Sequence, residues 1–306
     1  MKTVVLTGGV GGAKLVLGLM QIITPGDLTA IVNTGDDFRH LGLHVSPDID
    51  TLLYTLAGKA NVAQGWGREG ETWSFMAALR ELGGQDWFAL GDGDLALHVL
   101  RTEALGQGRR LSEVTKAFAR AWGLDLSILP MSDDRVATWL DTDEGRLAFQ
   151  PYFVARRCAP RVSRIEFEGA EAAQPTPGLL AAIAAADAVL IAPSNPYLSV
   201  DPILAVPGVR TALANAASVV AVSPLIGGQS VKGPTAKLMA ELGVAVTNQT
   251  IADHYHDFLD GLVINRGDAA PNHLRVARTD TLMKTAEDRT RVAAAAVALA
   301  GELSRV

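Results

Sequence analysis

A chain of 306 residues, 48% hydrophobic and 20% charged, has the apolar surface for one large α/β domain with a subdomain and needs no staples. Its net charge of −6 argues against a general nucleic-acid binder, which carries a basic excess. The single cysteine, Cys158, has no disulfide partner within the chain and no metal-ligand spacing, as expected of a reduced, cytoplasmic protein.

Met1 to Leu6 is too short an apolar run for a signal peptide or a membrane helix, and no membrane span is expected. Thr3 to Leu6 reads as a strand that enters Gly8, Gly9, Val10, Gly11 and Gly12, then the helical pattern Ala13 to Ile23; this is strand, glycine turn, helix. Leu28 to Val32 forms a second strand tipped by Asn33, Thr34, Gly35, Asp36 and Asp37, followed by a looped stretch to Pro47. From Asp48 to about Trp139 the pattern is mostly helical, over Asp50–Leu56, Thr72–Leu82, Leu95–Arg101 and Leu111–Trp122. Strand character returns at Arg146–Phe153 and Val162–Phe167. Val189–Ala192, Val219–Val222 and Val244–Thr247 read as further short strands between helices, resuming the βαβ rhythm of a parallel sheet. Arg289–Leu303 is an alanine-rich helix. The fold expected is α/β: a Rossmann-like parallel core over about 1–50 and 185–306, with an inserted, mostly helical subdomain over about 51–184.

Four glycines at Gly8, Gly9, Gly11 and Gly12 let a backbone approach a phosphate at a helix N-terminus, and Lys14 adds charge. The spacing is neither a G-x-G-x-x-G fingerprint nor a Walker A, and a tight turn without ligand is the plain alternative. Asp36, Asp37, Asp48 and Asp50 fall within fifteen residues at a strand tip and a helix start, a pattern that suits magnesium near phosphate oxygens; helix capping is the alternative for Asp48 or Asp50. Asp92, Asp94 and His98, and Ser132 with Asp133, lie in or beside acidic turns that serve equally well as caps. Ser194 and Asn195 follow one strand and Ser223 another, where base or ribose recognition is placed, and Lys232 could meet a phosphate. Trp66, Trp73 and Trp87 offer either a stacking wall for a flat ligand or ordinary core.

In this order, Gly8 to Leu15, Asn33 to Asp37, Ser46 to Tyr54, Gly65-Trp66-Gly67, Leu90 to Ala96, Leu129 to Asp134, Ala192 to Pro196 and Val222 to Pro234 closely resemble the 2-phospho-L-lactate transferase family of coenzyme F420 biosynthesis, which includes phosphoenolpyruvate-using members. The resemblance implies a homodimeric, magnesium-dependent transferase. Its donor is a guanosine diphosphate ester of 2-phospholactate, enolpyruvate or glycerate, its acceptor the deazaflavin Fo, and GMP leaves. Carried onto this chain, it implies Asp48 and Asp50 as catalytic residues and Asp48, Asp50, Asp36 and Asp37 as candidate metal ligands. The nucleotide falls to the glycines, Lys14, Asn33, Thr34, Ser194, Asn195, Ser223 and Lys232, and the deazaflavin to Trp66, Trp87, Asp92, Asp94, His98, Ser132 and Asp133. Two competitors are a nucleotide-sugar-binding regulatory protein of the same fold, similar to the gluconeogenesis factor group, and a Rossmann oxidoreductase. The second is disfavoured because Asn33, not an acid, ends the second strand.

Overall fold

The computed structural model describes residues 1–231 and 233–304. The chain opens with β1 (Thr3–Thr7), enters α1 (Gly9–Leu19) and returns as β2 (Leu28–Val32). A hairpin of β3 (Phe38–His40) and β4 (Leu43–Val45) leads into α2 (Pro47–Leu56), α3 (Ser74–Glu81), α4 (Asp92–Gly106) and α5 (Leu111–Ala121). After β5 (Ser127–Pro130) come β6 (Ala137–Thr142), β7 (Gly145–Ala148) and β8 (Val162–Glu168). Then follow α6 (Leu179–Ala184), β9 (Ala188–Ile191), α7 (Asp201–Leu204), α8 (Val209–Ala214), β10 (Val219–Val222) and the two-residue strands β11 (Leu225–Ile226) and β12 (Gln229–Ser230). The chain ends with α9 (Thr235–Glu241), α10 (Asn248–His254), β13 (Gly261–Asn265), β14 (Arg275–Thr279) and α11 (Ala286–Leu303).

Seven of these strands form one parallel sheet in the order β14-β13-β10-β9-β1-β2-β5. Both faces are covered, so β1, β9 and β10 are buried at every position, and β9 and β10 are apolar throughout rather than alternating. Successive side chains point to opposite faces. Val5, Leu190 and Val220 pack with α1, α2 and α11, whereas Val4, Leu6, Val189 and Ile191 pack with α6, α7 and α8.

The stretch from 51 to 184, expected as one mostly helical insertion, contains a strand of the core: β5 pairs with β2, Val32 opposite Pro130. Helices α3 to α5 precede it. A separate antiparallel sheet, β7-β6-β8, follows it. The looped stretch before Pro47 is the β3–β4 hairpin. Two strand expectations require correction. Arg146–Phe153 is a strand only as far as Ala148, because Pro151 has no N–H to give a ladder and opens a helical turn, Pro151–Ala155. Val244–Thr247 is no strand: Gly243 takes a φ of 77° to end α9, and Thr247 then caps α10 by accepting from the Thr250 N–H. The sheet is instead completed by β13 and β14.

Candidate active site

From β1 the chain runs outward through β2 to β5 on one side, and from β9 through β10 to β14 on the other. The carboxyl ends of β1 and β9 therefore flank the point where the strand order reverses, and ligands of such sheets bind in that crevice. The glycine turn follows β1, and Pro193, Ser194 and Asn195 follow β9.

The four glycines divide by role. Gly8 is extended; its N–H donates to Ser194 Oγ at 3.3 Å, and that hydroxyl donates to Gly8 O at 2.8 Å. A Cβ on Gly11 would stand 2.6 Å from Pro193 O, and one on Gly12 would collide with Thr7 Oγ1. These two allow α1 to pack against the strand tips. Gly9 alone has a positive φ, 65°, with open space where a side chain would be. Lys14 Nζ donates to Met283 O at 2.9 Å, away from the phosphate role expected for it. Lys232 lies outside the described residues.

Asp48, one residue inside α2, is buried against this turn. The Gly9 N–H donates to Asp48 Oδ1 at 2.7 Å and the Asn33 amide to Oδ2 at 2.9 Å, while Asn33 Oδ1 accepts from the Gly35 N–H at 2.8 Å. Burial raises the Asp48 pKa to about 6 against the pull of those two donors, with the Asp37 charge adding to the rise. Asp36 is raised well above the usual carboxylate range by burial, and the charges of Asp48 and Asp37 reinforce it. Asp37 Oδ2 accepts from Ser46 Oγ at 2.6 Å and from His44 Nε2 at 3.1 Å.

Asp50 stands apart from this cluster in its bonding. Both of its oxygens face the guanidinium of Arg101, which is fully buried on α4; Nη1 lies 3.1 Å from Oδ2, and Nη2 pairs with Oδ1. His98 fits between Asp94, at 3.2 Å, and Asp50, at 3.7 Å, and the Tyr54 hydroxyl donates to Asp94. Burial raises Asp50 despite Arg101 and His98. Asp50, Asp94 and His98 thus form one buried network with Arg101, a residue no sequence motif marked.

Beside Asp36 and Asp37 opens a cavity of about 410 Å³, lined by Thr34, Phe38, His44, Asp133, Thr138, Trp139, Phe149 and Gln150 among others. The antiparallel sheet builds its far wall: the Thr138 N–H donates to Gly35 O at 2.9 Å, and Gln150 Nε2 donates to Asp36 O at 3.3 Å. Its aromatic lining is Phe38, Trp139 and Phe149 rather than the tryptophans the sequence singled out. Trp87 packs behind, 5.9 Å from the Phe38 ring and edge-on to His40 at 5.1 Å. Trp66 is 50% exposed and Trp73 39%, and neither lines the cavity.

The remaining sequence candidates hold loops. Asp92 accepts from Thr72 Oγ1 and from the N–H groups of Ser74 and Phe75, at the start of α3. Asp133 accepts from the N–H and hydroxyl of Ser112 at the start of α5, and also reaches the cavity wall. Ser132 Oγ donates to Gln174 O at 2.6 Å. Asn195 Oδ1 accepts from the Tyr197 and Leu198 N–H groups, and Ser223 Oγ donates to Asn248 Oδ1.

Among the described residues, no three His, Cys, Asp or Glu side chains are disposed as a ready metal site. The donor set still fits a hard cation that takes most of its ligands from water and phosphate. Thr34 Oγ1, Asp36 Oδ1 and Asp37 Oδ1 are buried oxygens without a hydrogen-bond partner, and three mutually repelling carboxylates call for positive charge. Asp48, Asp37 and Asp36 meet that description; Asp50, matched to Arg101, does not.

The family model of 2-phospho-L-lactate transferase CofD matches residues 3–302. Over 276 residues the chain is 47% identical to a phosphoenolpyruvate transferase of Kitasatospora aureofaciens, covering 88% of this chain and 86% of that protein. It is 43% identical to a phosphoenolpyruvate transferase of Streptomyces coelicolor over 99% of both chains. A solved member of the UPF0052 family from Bacillus halodurans superposes with a TM-score of 0.65 at 17% identity, covering 97% of this chain and 100% of that one, a likeness of fold. No helix among the described residues is long and apolar enough to cross a membrane.

Proposed function

We propose, from the premise that this chain belongs to the 2-phospho-L-lactate transferase CofD family, that it transfers the phosphoenolpyruvyl group of a guanosine diphosphate ester to the terminal ribityl hydroxyl of the deazaflavin Fo. GMP leaves, and the product enters coenzyme F420 biosynthesis. The choice of enolpyruvate rests on the activity named for the similar Kitasatospora and Streptomyces proteins. The observation that carries the reading is the position of the acid cluster. Asp48 touches the glycine turn through Gly9, while Asp36 and Asp37 line the aromatic cavity. A donor diphosphate over the turn and a flat acceptor in the cavity would meet between them.

In this reading Phe38, Trp139 and Phe149 hold the planar ring. The glycine turn and the ends of β9 and β10 take the nucleotide. The hydroxyl oxygen bonds to the phosphorus nearer the organic acid as the bond to the GMP oxygen breaks. Asp36, whose raised proton affinity suits the task, accepts the hydroxyl proton. Asp48 and Asp37, with Asp36 beside them, would hold magnesium, which when bound would supply charge neutralisation at the phosphate oxygens. Asp50 acts indirectly, by holding Arg101, whose guanidinium also reaches the His44 carbonyl. The same reading carries a cytoplasmic homodimer, checked by sedimentation of the purified protein.

The test is a mass-spectrometric product assay with Fo, magnesium and each guanylated acid in turn. A deazaflavin phosphodiester made fastest from the enolpyruvyl donor is the expected result. No product from any donor, with tight binding of a UDP-sugar, would return the site to the nucleotide-sugar binder.

A further inference from the structure

His44 was marked by no motif, yet its contacts are ordered from both ends. Its peptide is gripped by α4: the N–H donates to Thr102 Oγ1 at 2.7 Å, and the carbonyl accepts from Arg101 Nη1 at 3.4 Å. Thr102 Oγ1 in turn donates to His98 O at 2.7 Å, so the hydroxyl that receives His44 is itself fixed to the helix. Arg101 is held by Asp50. The short strand β4 thus cannot slide along α4, and the imidazole is carried to the cavity wall.

There His44 Nε2 meets Asp37 Oδ2 at 3.1 Å. An ionised carboxylate oxygen only accepts, so the proton of this bond belongs to the ring. Ser46 Oγ donates to the same oxygen. Two donors converge on Oδ2, and none among the described residues reaches Oδ1. The carboxylate is therefore turned so that one oxygen is fully engaged by protein and the other is kept for something else.

We propose that His44 is a positioning residue for Asp37, part of a relay in which Arg101 and Thr102 of α4 fix His44, and His44 with Ser46 leaves Asp37 Oδ1 to the cation that would accompany the donor's phosphates. The proposal rests on the transferase reading above. It gives the helical stretch a chemical role: α4 sets the geometry of an acid it does not carry. A ring that donates to a metal-bound carboxylate constrains that ligand, and loss of such partners typically weakens metal affinity about 10- to 100-fold.

The experiment is Mn²⁺ binding measured by electron paramagnetic resonance in the presence of GDP, with GDP affinity measured separately without metal. His44→Ala is expected to weaken Mn²⁺ about 10-fold or more, with metal-free GDP affinity and melting temperature close to wild type. His44→Gln, whose amide can still donate to Asp37, recovers most of the loss. Thr102→Val moves in the same direction as His44→Ala but less far. A merely structural His44 would instead lower the melting temperature and leave Mn²⁺ affinity of the folded protein unchanged, which overturns the proposal while the transferase reading stands. Absence of Mn²⁺ binding in the wild type overturns the metal reading and this proposal with it.

Discussion

Replacing Asp50 by asparagine separates two roles that an aspartate in this position can play. In the structure Asp50 is 5% exposed, and both its oxygens are matched to Arg101, which is 0% exposed. Removing one member of a buried ion pair leaves the other charge uncompensated and costs about 3–5 kcal/mol. Unfolding entropy near the midpoint is about 2.1 cal/mol/K per residue, so a chain of 306 residues carries roughly 0.6 kcal/mol/K, and a loss of about 4 kcal/mol lowers the melting temperature by ~6 °C. The drop should be the same with and without magnesium. Replacing both partners by apolar residues of similar size, Asp50→Leu with Arg101→Met, should recover a large part of it, because no charge is then stranded. Scanning calorimetry of the wild type and the two variants reads all of this. If Asp50→Asn melts within about 1 °C of wild type and loses Mn²⁺ binding instead, Asp50 is a metal ligand and the reasoning fails.

The glycine turn gives a paired prediction: Gly9→Ala should fold with a penalty of about 1 kcal/mol for its positive φ and weaken GDP binding, whereas Gly11→Ala should be destabilised through Pro193 O. Equal effects on melting and on calorimetric GDP affinity would contradict the division. For Asp48, raised from 3.8 to about 6, the folded state binds the proton more tightly than the unfolded one, so its stabilising contribution is complete below pH 3.8 and is lost as pH rises through 6. Metal-free wild type should therefore lose about 3 kcal/mol relative to Asp48→Asn between pH 4 and 7, read from urea unfolding; parallel curves would refute it. Trp139→Ala should raise the KM for the deazaflavin at least tenfold while the KM for the donor stays within about twofold, since only the acceptor meets that wall; an unchanged acceptor KM in steady-state assays would remove Trp139 from the site.

The core was legible because its signals are local. A β-branched run ending in glycines before a helical pattern can hardly be anything but β1 and α1, and the acids at the tip of β2 and the start of α2 fall within fifteen residues. The remainder depended on contacts between distant stretches. Nothing in Leu95 to Arg101 says that Arg101 will lie against Asp50, and a buried arginine reads in sequence like any exposed helical one. The cavity wall was missed for a related reason. Trp139 belongs to a small sheet whose placement is fixed by a backbone bond from Thr138 to Gly35, and Phe149 directly follows that sheet's strand β7, a placement invisible to periodicity. Val244–Thr247 misled because a connector that packs Val246 against the core has the same composition as a strand.

The bond from the Gly9 N–H to Asp48 bears on how an anion enters. The amino end of α1 is the positive pole of a helix dipole and the natural seat of a phosphate, but it already faces a carboxylate of the chain. An arriving diphosphate is therefore a rival to Asp48 for the same donor, and two negative groups cannot share it without added positive charge. Nucleotide uptake should be linked to uptake of a proton or a cation, so that the turn discriminates between a bare nucleotide and one that travels with its counter-ion.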